Sequence, residues 1–100
     1  MAIALQVGGV NFGTKLELTA HVRELIAQYP VGSRVSDEHK IFLESLFQFH
    51  PDAENKLRGG VSDIEVRLDI YGNKHFFAYD HHGNGEDVSW TKCVKNAKAK

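Results

Sequence analysis

The apolar positions along this chain switch between a period of two and a period near 3.6 residues, and the switches mark its elements. Residues 2–7 (AIALQV) read as a short strand. Gly8-Gly9 is a turn signal, and Val10-Asn11-Phe12 returns as a second strand. Leu18, Val22, Leu25, Ile26 and Tyr29 then recur at helical spacing. Thr14 and Glu17 stand before them as a capping box, in which each side chain satisfies a backbone N–H of the first turn. Pro30 ends that helix, because the residue before a proline resists the α conformation. Ser36 is the N-cap of a second helix, with Asp37 and Glu38 in its first turn. Its apolar stripe is Ile41, Phe42, Leu46 and Phe49, widened by Leu43 and Phe47, so the helix is expected to be deeply buried.

Beyond His50-Pro51 and Gly59-Gly60 the period returns to two. Val61 to Ile70 alternates, with Ile64, Val66, Leu68 and Ile70 on one face and Asp63, Glu65, Arg67 and Asp69 on the other. His75 to Tyr79 and Val88 to Val94 are the next two strands, separated by Gly- and Asn-containing turns. Short links make the three strands antiparallel neighbours. The expected fold is α+β in two layers: an N-terminal β-hairpin, two helices, then a three-stranded antiparallel meander. Both helices are expected on one face of the meander, which leaves its other face open. Residues 1–94 form a single domain in this reading, and 95–100 (KNAKAK) form a flexible basic tail.

Composition narrows the function classes. The formal net charge is −1 over 100 residues. Setting the tail aside leaves nine of the 12 basic residues against all 13 acidic ones, a body at −4. That balance argues against a broad nucleic-acid surface, because such surfaces work by neutralising phosphates. No run approaches the roughly 18 apolar residues of a membrane span, and the start of the chain lacks the form of a signal peptide. A cytoplasmic protein is expected, without a membrane partner. One cysteine excludes an internal disulfide.

The stretch from His50 to Val94 holds the residue types that generic surface or core does not explain. His50-Pro51, Lys56, Gly60, the strand from Ile64, Phe77, Gly83, and Asp87, Ser89, Lys92 and Cys93 follow one another in a fixed order. That order resembles a family of domains of unknown function related to the plant domain called defective chloroplasts and leaves (DCL). The upstream segments YPVGSRVS and FLESLFQFHP extend the resemblance over almost the whole chain. Val88 and Trp90 stand where the family has Phe and Tyr. Arg58 replaces a turn glycine, and Asp80 and His82 align where the family presents an Arg and an Asp. The resemblance implies relatives connected with plastid ribosomal RNA maturation and with nuclease or polymerase domains.

Candidate chemistry divides into a few sets. His75, His81 and His82 invite a metal reading, but adjacent side chains of extended chain diverge and Cys93 has no Cys-x-x-Cys partner. Exposed turn histidines are the preferred reading, with no metal and no cofactor. His50, Asp87 and Cys93 supply the types of a cysteine nucleophile site. Cys93 serves equally as a small packed residue, and an enzyme is not expected. His50 is read as capping the end of the second helix. Asp87 is read as pairing with Lys56 or Lys92, clamping the loop to the sheet. On strand parity Val88, Trp90 and Val94 face the helices, with Lys92 among them, whereas Ser89, Thr91 and Cys93 face outward. Phe76 and Phe77 are adjacent, so one of them leaves the helix-facing side. An aromatic there, beside Arg67 and Thr91, suits base stacking; the N-terminal hairpin or a partner chain covering it is the alternative. Candidate binding residues are therefore His50, Lys56, Arg58, Arg67, Asp87, Ser89, Lys92 and Cys93. The candidate partner is RNA or another protein.

Overall fold

The computed structural model describes residues 5–57 and 60–97. The hairpin forms as β1 (Leu5–Val7) and β2 (Val10–Phe12), paired antiparallel. Helix α1 (Lys15–Ala27) starts at Thr14, whose hydroxyl accepts from the Glu17 N–H at 3.1 Å. The reciprocal arm of the expected box reaches one residue further back: the Glu17 carboxylate accepts from the Gly13 N–H at 2.6 Å. Helix α2 (Asp37–Phe47) starts at Ser36, which accepts from the His39 N–H at 3.3 Å. The Tyr29 hydroxyl ties the two helices together, accepting from the Ser36 N–H and lying 2.5 Å from His39 Nδ1. A single turn, α3 (Ala53–Lys56), precedes the sheet.

The sheet is β3 (Asp63–Leu68), β4 (Lys74–Tyr79) and β5 (Gly85–Val88), antiparallel in the order β3-β4-β5. Its inner face, Ile64, Val66, Phe76, Ala78 and Val88, joins α1 and α2 in one buried cluster. Phe47 of α2 and Phe76 of β4 pack with ring centroids 5.9 Å apart. The architecture is thus α+β with helices over one sheet face.

The β3 edge is covered from an unexpected quarter. The loop read between the helices pairs with it: Gly32 N–H donates to the Val66 carbonyl at 2.7 Å and Val35 N–H to Ile64 at 3.0 Å. Val66 N–H returns a bond to Ser33 at 2.9 Å, so this edge offers no free ladder over that stretch.

Three expectations need correction. The strand expected from Val88 to Val94 ends at Val88, and residues Trp90–Asn96 form a helix, α4. Trp90, Cys93 and Val94 are its buried residues, Ala97 at its C-cap is buried as well, and the spacing of three and four is helical. Cys93 therefore points into the core, and Lys92, placed inward by strand parity, is exposed. The same helix takes in Lys95 and Asn96, with Ala97 3% exposed, so the chain is packed beyond the boundary expected at residue 94. Lys98 to Lys100 lie outside the described residues. Lastly, Leu68 and Ile70 are not core residues. The helical layer meets the β3–β4 pair at Lys74, whose Nζ donates to the Tyr29 carbonyl at 2.7 Å. The turn beyond projects past that contact, leaving Ile70 91% and Tyr71 82% exposed. Ile41 of the expected α2 stripe is likewise on the solvent side.

Candidate functional site

The open face of the sheet is built by the pleat. On β3 it presents Asp63, Glu65 and Arg67; on β4, His75, Phe77 and Tyr79; on β5, Gly85 and Asp87. Phe76 takes the buried side and Phe77 the open one. The Phe77 ring does not stand free. The Arg67 guanidinium lies over it, 4.4 Å from its centroid, and the Tyr79 ring is 5.2 Å away. Tyr79 in turn carries the Arg34 guanidinium at 4.7 Å. Two arginine–aromatic stacks thus stand side by side, each strengthened by cation–π attraction.

Gly85 makes this arrangement fit. A Cβ on Gly85 would lie 2.0 Å from Cε1 of Phe77, so the ring occupies the volume a side chain would need. The backbone of Gly85 is not in the left-handed region. Close approach, not conformational freedom, is the reason for glycine there.

Each arginine of the face has an acidic partner, and the last carboxylate is hydrogen-bonded to a histidine. Arg34 pairs with Asp63, Arg67 with Glu65 at 3.3 Å, and His75 Nε2 with Asp87 Oδ1 at 2.8 Å. The bond to Asp63 raises the Arg34 pKa further, against the small opposing effect of burial. The Tyr79 hydroxyl donates to Glu65 Oε1 at 2.8 Å, and that bond pushes its pKa up, so it stays a donor at neutral pH. His75 Nδ1 is a buried nitrogen with no partner among the described residues. Leaving such a group unpaired costs about 1–3 kcal/mol.

Both turns of the meander follow one design. Asp69-Ile70-Tyr71-Gly72-Asn73 and Asp80-His81-His82-Gly83-Asn84 share the pattern D-x-x-G-N. In each, the Asp carboxylate accepts from the N–H groups two and four residues on, and the glycine has positive φ, +81° and +87°. Burial works against the charge of Asp80. The backbone N–H groups of Asn84 and His82, helped by the Asn84 amide, outweigh it and hold the carboxyl below the usual range. Asp80 is therefore an organiser of its turn. Its position, where the resemblance places a family cation, has been given to local structure. His81 and His82 lie exposed in the same turn.

The residues singled out from sequence fall into separate groups. Lys56 does reach the last strand, but its Nζ donates to the Asp87 backbone carbonyl at 2.7 Å and sits 3.7 Å from the Glu86 carboxylate. The clamp exists, and the Asp87 side chain is not its partner; that carboxylate belongs to His75. The loop is tied down by a lysine that reads a main-chain carbonyl, so the residue type at position 87 matters less than its backbone. His50 is buried and does not cap helix carbonyls. Its Nδ1 accepts from the Asp52 N–H at 2.9 Å, around Pro51. Burial lowers its pKa, and the positive charges of Lys56 and Lys92 add to the effect, so a neutral ring is favoured. Burial pushes the Cys93 thiol up to about 12, which leaves it protonated in the core and unsuited to attack. His50, Asp87 and Cys93 are not brought together as a nucleophile site, since Asp87 and His75 form the pair on the open face. The Ser89 and Thr91 hydroxyls are 3.0 Å apart at the junction of β5 and α4. Arg58 lies outside the described residues. Among the described residues no three His, Cys, Asp or Glu side chains are grouped to hold an ion.

His75, Tyr79, Glu65 and Arg34 were absent from the candidate set. Parity along Lys74–Tyr79 already places His75 and Tyr79 beside Phe77. Nothing in the local pattern places Arg34, whose loop joins the sheet only through the pairing with β3.

The fold itself is one seen before. A two-layer α+β domain of this form is recorded in the solution NMR structure of an uncharacterised protein from Rhodospirillum rubrum, at a TM-score of 0.86 and 31% identity, over 93% of this chain and 89% of that one. Residues 23–94 match the family described as "Protein of unknown function (DUF3223)", and the chain belongs to that family. It is 38% identical over 71 residues to the DNA-directed RNA polymerase V subunit 1 of Arabidopsis thaliana, across 68% of this chain and 4% of that protein. It is 30% identical over 83 residues to the chloroplastic protein DCL of Solanum lycopersicum, across 78% of this chain and 37% of that protein. The chain thus spans well under half the length of these two relatives. No helix among the described residues is long and apolar enough to cross a membrane.

Proposed function

We propose that this domain is a non-enzymatic, cytoplasmic binding module that works in RNA processing, with the open sheet face as its contact surface for single-stranded RNA. The observation that carries the reading is the pair of arginine–aromatic stacks, Arg67 on Phe77 and Arg34 on Tyr79. Single-stranded RNA is bound by stacking its bases on aromatic rings or on guanidinium planes, and a sheet face with both is suited to that. A relative named as an RNA polymerase subunit agrees with such a setting.

The electrostatics make the reading specific. The two arginines of the sheet face are both paired with acids. That face presents little net positive charge to phosphates, so stacking carries the affinity. A fluorescence anisotropy titration with a short single-stranded RNA tests this. Phe77→Ala is expected to weaken binding about 5- to 150-fold, the equivalent of roughly 1–3 kcal/mol for one stacked base. The logarithm of the affinity is expected to fall with the logarithm of salt at a slope of about −1, since each neutralised phosphate of a single strand contributes roughly −0.7. Binding that is steep in salt and indifferent to Phe77→Ala would overturn the reading.

One observation favours a second reading, that of a protein-interaction or self-associating domain. Val31, Leu68 and Ile70 are exposed and line the same groove as Phe77, and apolar side chains beside paired charges suit a protein partner. Under that reading RNA does not bind, and Ile70→Asp abolishes association with the partner or with a second copy.

A further inference from the structure

A second concavity, of about 740 Å³, opens at the end of the sheet between α1 and the junction of β5 and α4. We infer that it is the pocket for one nucleotide of a strand that crosses the open face, with Arg23 meeting a phosphate and the base lying over Ala27 toward Trp90. The inference rests on the RNA reading of the sheet face and adds a path to it.

Continuity is the first reason. Asp69, His75 and Asp87 line both this cleft and the groove that contains Phe77 and Arg67, so the two concavities share a wall. A strand stacked at Phe77 meets Asp87, the register partner of Phe77, and then the cleft. The second reason is the kind of wall. Ala27 is exposed in the lining, with the largely buried Ile26 and Trp90 beside it, and the Ser89 and Thr91 hydroxyls belong to the same lining. A volume of this size is within the usual range for small-ligand sites, about 300–1,000 Å³.

Charge supplies the third reason. Arg23 is exposed on α1 and lines the cleft, and among the described residues it makes no ion pair. It differs in this from Arg34 and Arg67, which are both committed to acids. Lys74 lines the cleft as well, so the two cations there offset Asp69, which accepts from the Tyr71 and Asn73 N–H groups, and Asp87, which is bonded to His75. An apolar wall, two hydroxyls and one uncommitted guanidinium together fit a flat, hydrogen-bonding monoanion, and a nucleotide unit is that chemistry. The His75 ring stands where the two concavities meet. Its Nε2 bonds Asp87 and its Nδ1 is buried without a partner among the described residues.

The experiment is a titration of the full, isotope-labelled chain with a six-residue oligouridylate, followed by amide chemical shifts, repeated with Arg23→Gln and with Phe77→Ala. The expected result is that amides of residues 23–27 and 89–91 shift together with those of 65–67 and 77. Arg23→Gln is expected to weaken binding at least about fivefold, in line with the loss of one charged phosphate contact. Its undisturbed spectrum without RNA checks that the variant is folded, and Thr91→Val gives an independent probe of the same wall. Shifts confined to the sheet face, with Arg23→Gln binding as the parent does, would overturn the cleft and leave the sheet-face reading intact. Shifts confined to the cleft, unaffected by Phe77→Ala, would support a nucleotide pocket and remove the sheet face from it. Absence of any shift would overturn both. Broadening of the same amides with chain concentration alone would assign the surface to a protein partner and overturn both readings as well.

Discussion

Phe76→Ala is expected to cost about 3–5 kcal/mol, the range for emptying a buried aromatic site. Phe76 is fully buried at the centre of the sheet, with Val66 and Val88 as its register partners on either side. Its ring meets Phe47 at 5.9 Å, so the substitution removes an aromatic contact between the sheet and α2 along with the apolar surface itself. A domain of this size has about 5–15 kcal/mol in total, and a loss of this order takes a large part of it. Phe77→Ala, one residue on, is expected to cost far less, because that ring is half-buried on the other face. Urea denaturation of the two variants checks the contrast. Equal costs would mean that the two faces of β4 are not as described.

Gly85→Ala is the second large effect, and it couples stability to the candidate site. The new methyl would sit 2.0 Å from Phe77 Cε1, so the ring or the strand has to shift. Phe77 is expected to swing away and leave the Arg67 guanidinium without its ring. Overpacking of this kind costs about 1–3 kcal/mol. The origin of the cost can be isolated by a double-mutant cycle. In a Phe77→Ala background the clash is gone, and Gly85→Ala is expected to be nearly neutral, since residues in contact couple strongly. A cost that persists unchanged in that background would trace the effect to the backbone of β5 and not to the ring. Thermal melts of the four proteins decide between the two.

The contrast between the two ends of the chain shows what a local pattern carries. Helices α1 and α2 were readable because their signals are local: a capping residue, acids in the first turn, and apolar residues at three- and four-residue spacing. The alternation of β3 was readable for the same reason, as was the division of Phe76 and Phe77 between faces. The segment from Val88 to Val94 satisfies two periods at once. Val88, Trp90 and Val94 fit a strand, while Trp90, Cys93, Val94 and Ala97 fit a helix. Lys92, which falls on the inward side of the strand reading and on the solvent side of the helical one, is the discriminating residue. The D-x-x-G-N pattern at 69–73 and 80–84 was also present in the sequence, and it explains Asp80 without any ligand.

Long-range pairing decided what the pattern could not. Asp87 was matched to a lysine on charge alone, but the register of β4 and β5 sets Phe77 opposite Asp87. His75, two residues from Phe77 on the same face, is then the diagonal neighbour within reach of the carboxylate. The lysine that seemed its partner, Lys56, takes a backbone carbonyl instead. Arg34 joins the open face through a loop–strand pairing between residues distant in the chain, which no periodicity announces. Ile70 and Tyr71 continue the sequence pattern of β3 past the point where the helical layer ends, so alternation there overstated burial.

The central claim is that RNA lies on the open sheet face. Zero-length ultraviolet cross-linking of a short single-stranded RNA to the full chain, with the attached residues mapped by mass spectrometry, tests it most directly. Attachment at Phe77 and Tyr79, lost from the first of these in Phe77→Ala, is the result expected. Attachment only around Lys92 and Lys95 of α4, with the sheet face unmodified, would contradict it.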